Sequence, residues 1–176
     1  MIEFLTALIA FLPMWLLQNY IHELSHGLAM RLGWKWSFKV WPFPSKKLGR
    51  FTWAHVIYFK TESSKEISKP SRGFVAIVPK IVNLVFILFG FLALMLSSGC
   101  GICSTLLLMF MFYNFIDYFV GLLSVFRSKP TDTDLWRFQQ NLNIDKNTLR
   151  ICVIASYILL ISIIAFSTAT YFIHLV

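Results

Sequence analysis

Residues 4–30 read FLTALIAFLPMWLLQNYIHELSHGLAM, an apolar run long enough to cross a bilayer, which takes about 20 residues. The run has no Lys, Arg or Asp, and its only acidic or imidazole side chains are His22, Glu23 and His26. They fall together as His22-Glu23-Leu24-Ser25-His26-Gly27, an H-E-x-x-H pattern. In a helix, positions four apart stand one above the other, so His22 and His26 can offer two imidazole nitrogens to one cation. A catalytic zinc site takes three protein ligands and keeps a position for water, which leaves a neighbouring carboxylate, here Glu23, free to act as base. So short a pattern also arises by chance, but ionisable groups inside a spanning helix are costly without partners, and this setting strengthens the metal reading. The competing reading is a packing cluster in which Gln18, Asn19, His22 and His26 bond to neighbouring helices.

The rest of the chain extends the membrane reading. With 57% hydrophobic and 14% charged residues, the composition is that of a single integral membrane domain over residues 1–176. Further apolar runs at 74–96, 102–126 and 151–173 predict an all-α fold of four transmembrane helices. A formal charge of +8 invites a nucleic-acid reading, but the distribution argues against one. Ten of the sixteen Lys and Arg lie between Arg31 and Arg72, five lie between Arg127 and Arg150, and residues 97–105 have none. The positive-inside rule then makes 31–73 and 127–150 cytoplasmic loops, with both termini outside, in a multi-pass protein of a plasma (inner) membrane. The same loops suit the anionic headgroups of the lipid bilayer. The first run lacks a basic leader and a small-x-small cleavage site, so it reads as a mature span and not as a secretory signal.

Arg31 and Gly33 are expected to end the first helix at the membrane interface. Trp34, Trp36, Phe38 and Val40 then alternate with Lys35, Ser37 and Lys39, the period of a strand with one apolar face. Pro42 and Pro44 interrupt it, and 51–61 reads as a second strand, which makes a β-hairpin on the cytoplasmic membrane surface between helices 1 and 2. Its free edge could take up a substrate segment through main-chain hydrogen bonds; an interfacial anchor without a ligand is the alternative. In the second span Asn83 either faces the site or bonds to a neighbouring helix. The third span carries Asp117, with Asn114 three residues earlier on the same face. His22 lies nine residues before Arg31 and Asp117 ten before Arg127. At 1.5 Å per residue both sit about 14 Å from the basic boundary. That matching depth ranks Asp117 first as the third metal ligand, with Asp132 and Asp134 as alternatives. Asp134 also has a plainer account, as the N-cap of a helix over 135–141. Asn114 is expected to orient Asp117 or help hold a bound peptide. His55 falls in the surface hairpin and His174 at the opposite membrane face, and Cys100-x-x-Cys103 reads as an incidental pair at a helix turn. No Gly-rich phosphate-binding motif occurs.

These residues resemble the site-2 protease-like intramembrane zinc metallopeptidases, and among them the small zincin peptidases. The resemblance rests on His22-Glu23-Leu24-Ser25-His26-Gly27 in the first span, the hairpin after it, the Pro79 entry to the next span and a later span bearing an aspartate. It implies His22 and His26 as zinc ligands, Glu23 as catalytic base, and a helix bundle holding Zn2+ within the membrane boundary, reached by water from the cytoplasm. Typical site-2 proteases carry an Asn-Leu-x-Pro stretch leading to Leu-Asp-Gly. Here Pro130-Thr131-Asp132 and Asp134-Leu135-Trp136-Arg137 each echo only part of that, while Asn114 and Asp117 are closer to the small type.

The expected activity is a zinc-dependent intramembrane endopeptidase, a metalloprotease acting on membrane-protein or membrane-associated peptide substrates. Bound zinc lowers the pKa of its water toward about 7, and Glu23 would take the proton and pass it to the leaving amine. Two other classes stand beside it: a non-catalytic metal-binding membrane protein or inactive relative, and a small scaffold for other spans, which predicts no zinc.

Overall fold

The computed structural model describes residues 2–47, 50–52, 54–96, 101–126 and 133–173. Helix α1 runs unbroken from Ile2–Trp34 with Pro13 inside it. It passes the expected stop and ends at Lys35, whose backbone is left-handed (φ 57°) and whose N–H reaches the Arg31 carbonyl at 3.0 Å. The extra turn is held from outside. Lys65 N–H donates to the Trp34 carbonyl at 2.9 Å, and the Trp36 indole donates to the Lys65 carbonyl at 2.9 Å, so the polar loop after the hairpin satisfies the helix end.

The hairpin is present with more strands than expected. Strand β1 (Ser37–Trp41) pairs antiparallel with β4 (His55–Phe59), in a register running from Ser37 opposite Phe59 to Trp41 opposite His55. Inside that pair, β2 (Ser45–Lys47) and β3 (Arg50–Thr52) form a second short one. Pro42 and Pro44 lie between β1 and β2, where neither must donate to a ladder. The sheet seats on α1 at Gly27, because a Cβ there would overlap the Phe38 ring.

Helix α2 (Lys69–Leu96) begins before its apolar run, with Pro70 in the first turn, where its missing N–H costs nothing. Helix α3 (Gly101–Leu123) closes in a 3-10 turn at Ser124–Phe126. The short helix α4 (Asp134–Leu142) buries Leu135. Helix α5 (Lys146–Ile173) also begins before its apolar run, because the Asp145 carboxylate accepts the Asn147 and Thr148 N–H groups, each at 2.9 Å.

Among the described residues, four of the five α-helices are long and apolar enough to cross a membrane, over Phe4–Trp34, Lys69–Leu94, Gly101–Phe126 and Lys146–Ile163. That is compatible with a multi-pass membrane protein. The buried apolar cluster joins α2, α3, α4 and α5 through Ile87, Met111, Leu122, Leu135, Val153 and Leu160. Helix α1 contributes nothing to that cluster, and only 6% of its most apolar window is buried. In lipid no hydrophobic force drives helix onto helix, so polar contacts carry more of this attachment. Most of α1's contacts of that kind to other helices lie around His22 and His26.

Candidate metal centre

Helical spacing stacks His22 over His26 with ring centroids 5.2 Å apart. His22 Nε2 lies 3.0 Å from Asp134 Oδ2, and His26 Nε2 lies 3.4 Å from Asp134 Oδ1. Donor atoms of these three residues lie within 4.8 Å of one another. Two ligands at roughly 2.1 Å from a tetrahedral zinc stand about 3.4 Å apart, so the group fits one such cation, and its N2O donor set with an open position is of the type catalytic zinc uses.

The two aspartates take different places around His22. Asp117 reaches its Nδ1 at 2.8 Å, on the side of the ring away from Asp134. The depth argument brings Asp117 to the correct level, but depth does not decide which ring nitrogen a carboxylate meets. That depends on the direction of approach. Helix α3 comes from the Nδ1 side. Asp134 reaches the Nε2 side because α4 folds back onto α2 at Gly73, where an added Cβ would meet Leu142 Cγ at 3.0 Å and Asn141 Cβ at 3.2 Å. Asp134 is not the cap: Thr133 occupies the N-cap position, and Asp134 is the first helical residue, its carboxylate turned to the histidines. Asp132 and His174 lie outside the described residues.

Around the histidines sits a further layer of partners. His26 Nδ1 is 2.9 Å from the Val75 carbonyl of α2. Asp117 is held by Lys80 Nζ at 3.0 Å through Oδ1 and by the Asn83 amide through Oδ2. Lys80 Nζ also donates to the Asp117 carbonyl at 3.0 Å. Asn83 thus faces the site. Asn114 does not: it is fully buried and donates to the Phe110 carbonyl of its own helix. Asn19 turns back to Trp15 of its own helix, at 2.8 Å, whereas His22 and His26 bond to neighbouring helices as the competing packing reading also expects. His55 belongs to the hairpin, with its Nδ1 3.2 Å from Ser45 Oγ.

A cavity of about 1380 Å³ opens over the centre, lined by His22, Glu23, His26, Tyr58, Asp134 and Arg137 among others. The Val56 amide of β4 points to the Glu23 carboxylate. That N–H is therefore on the edge of β4 away from β1, and Tyr58, two residues on, presents its own main-chain groups on the same edge. Burial alone would raise the Asp134 carboxyl, but hydrogen bonds from His22 and His26 and their charge hold it well below the usual carboxylate range. Burial, and then the charges of Glu23 and Asp134, push the Tyr58 hydroxyl up, so it stays a hydrogen-bond donor at neutral pH. Lys80 and Tyr58 were absent from the sequence reading of the site. Lys80 had a usable signal, being a cation inside an apolar run; Tyr58 had only its two-residue offset from Val56.

No family model matches the chain, and no curated protein or solved structure matches it either. The functional reading therefore rests on the residues and their geometry.

Proposed function

We propose that this chain is a zinc-dependent endopeptidase that works within or at the edge of a membrane on membrane-protein or membrane-associated peptide segments. The observation that carries the reading is the convergence of His22, His26 and Asp134 donor atoms within 4.8 Å, with Glu23 lining the same cavity. In this reading Asp134 is the third ligand and Asp117 the outer carboxylate that orients His22. A zinc ion bound there would polarise the scissile carbonyl and supply a water ionised near neutral pH.

With such an ion bound, the Glu23 carboxylate would be the group placed to accept a proton from water and return it to the departing amine. A helical peptide bond has its carbonyl engaged and shielded, so the substrate must be extended at the cut. The unpaired edge of β4 offers Tyr58 main-chain groups to such a segment, beside Glu23. The Tyr58 hydroxyl is a donor available to the oxyanion.

The test is Glu23→Gln in the full chain, with cleavage of candidate single-span proteins followed beside zinc content. Cleavage should fall by about 10²-fold or more while zinc is retained. Unchanged cleavage removes Glu23 from the mechanism, and a purified wild-type protein that takes up no zinc removes the metal reading.

A further inference from the structure

Helix α2 contributes no candidate ligand, yet it meets the His26 imidazole directly and the His22 imidazole through Asp117. A proline inside a helix lacks the N–H that would bond the carbonyl four residues earlier. For Pro79 that carbonyl belongs to Val75, the one that His26 Nδ1 meets at 2.9 Å. A carbonyl only accepts, so Nδ1 of His26 carries a proton, and Nε2 is the nitrogen turned toward Asp134 and left as the one to meet a cation. One residue after Pro79, Lys80 reaches Asp117, passing so close over Gly121 that a Cβ there would stand 2.5 Å from Lys80 Cε. One turn on from Pro79, Asn83 holds the other oxygen of the same carboxylate, which meets Nδ1 of His22. Lys80 is 4% exposed and Asn83 0%, and Pro79 is also fully buried, so the α2 side of these contacts is fixed in the packed interior.

We propose that Pro79-Lys80-Ile81-Val82-Asn83 is the positioning element of the metal centre. Pro79 withholds an N–H from Val75 and so leaves its carbonyl to His26, while Lys80 and Asn83 fix Asp117 against His22, and both rings then present Nε2 to one cation. This rests on the reading that His22, His26 and Asp134 hold a metal. Pro79 is a positioning residue in this account; it touches neither metal nor substrate.

The decisive variant is Pro79→Ala in the full chain in detergent, titrated with Zn2+ against a chromophoric chelator and examined with Co2+ by visible absorption. The substitution supplies an N–H that competes for the Val75 carbonyl and removes a helix-breaking ring. Zinc Kd should rise about tenfold, at the low end of the outer-partner range, and the Co2+ band should shift, while the melting temperature stays level or increases. A role confined to helix shape would leave the zinc Kd and the Co2+ band unchanged, and that result overturns the proposal while leaving the metal reading intact. Should the variant fail to fold, the wild type decides alone: with 15N-labelled histidine, Nδ1 of both rings should be protonated and Nε2 metal-bound. Zinc on Nδ1 of either ring overturns the proposal, and a wild type without zinc affinity overturns the metal reading beneath it.

Discussion

Replacing Asp134 and Asp117 separately should rank the two carboxylates. Asp134 faces the Nε2 atoms of both histidines, whereas Asp117 meets only Nδ1 of His22. Four-ligand protein zinc sites are worth roughly 10–16 kcal/mol, so an even share per ligand is about 2.5–4 kcal/mol, on the order of 10²–10³ in Kd. Loss of an outer carboxylate costs roughly 10–100-fold, about 1.4–2.8 kcal/mol. Asp134→Ala should therefore weaken zinc binding about tenfold more than Asp117→Asn, measured by competition with a chelator of known affinity. Asparagine is the better choice at 117. Alanine would leave the Lys80 ammonium, 4% exposed, with the main-chain carbonyl at 117 but without its carboxylate partner, whereas asparagine keeps a side-chain oxygen there. Circular dichroism melts on both variants separate lost binding from lost fold. If Asp117→Asn weakens zinc more than Asp134→Ala in folded protein, the assignment of inner and outer carboxylate is reversed.

Three further outcomes follow from local geometry. Lys35→Gly relieves a left-handed backbone at φ 57° and should raise stability by about 1 kcal/mol in a denaturant or thermal series; a loss of stability would mean that the side chain matters more than the backbone. Gly27→Leu puts a side chain where the Phe38 ring sits, so β1 and β4 should lose amide protection from hydrogen exchange at a cost of about 1–3 kcal/mol, and unchanged protection would dissociate the hairpin from α1. Asp145, exposed at the start of α5, has its carboxyl lowered first by the Thr148 N–H and then by that of Asn147. A depressed carboxyl contributes stability above its unfolded pKa and loses it as pH falls through the lowered value. Protection at the start of α5 should therefore decline with acid in the wild type and be low and flat in Asp145→Ala; parallel profiles would exclude the cap.

The helices were legible because apolar runs of spanning length have few alternatives. Their ends were not. Lys35 adopts a conformation that glycine usually supplies, and α5 starts at a capping aspartate that hydropathy does not register. The hairpin was visible from the alternation of Trp34 to Val40, but its division into two strand pairs was not, since nothing in 51–61 marks a break between β3 and β4. His22, Glu23 and His26 share one helix, so local spacing alone places them together. Asp117, Asp134, Lys80 and Asn83 come from three other helices, and which of them meets which ring nitrogen depends on how those helices pack. Gly73 illustrates the difficulty: its missing side chain lets α4 close on α2 and brings in Asp134, but a glycine in a helix gives no hint of which neighbour will use the space.

The contacts that would prepare a metal site are also the ones that fasten α1. Its apolar length faces outward, with Phe4, Leu8 and Phe11 each more than half exposed, and the buried apolar cluster is built without it. Among the described residues α1 meets the bundle through His22 to Asp117 and Asp134, His26 to Val75 and Asp134, the Tyr113 hydroxyl on the Phe11 carbonyl at 3.1 Å, and the Phe11 ring edge-on to Tyr113. Between helices in lipid, such bonds average only about 0.6 kcal/mol each, so none is strong alone. Those at His22 and His26 lie one turn apart, and a cation joining α1 to α4 through His22, His26 and Asp134 would exceed their sum. In the proposed reading the same contacts serve assembly and function, because α1 carries His22, Glu23 and His26 while the groups that meet the two imidazoles lie on α2, α3 and α4.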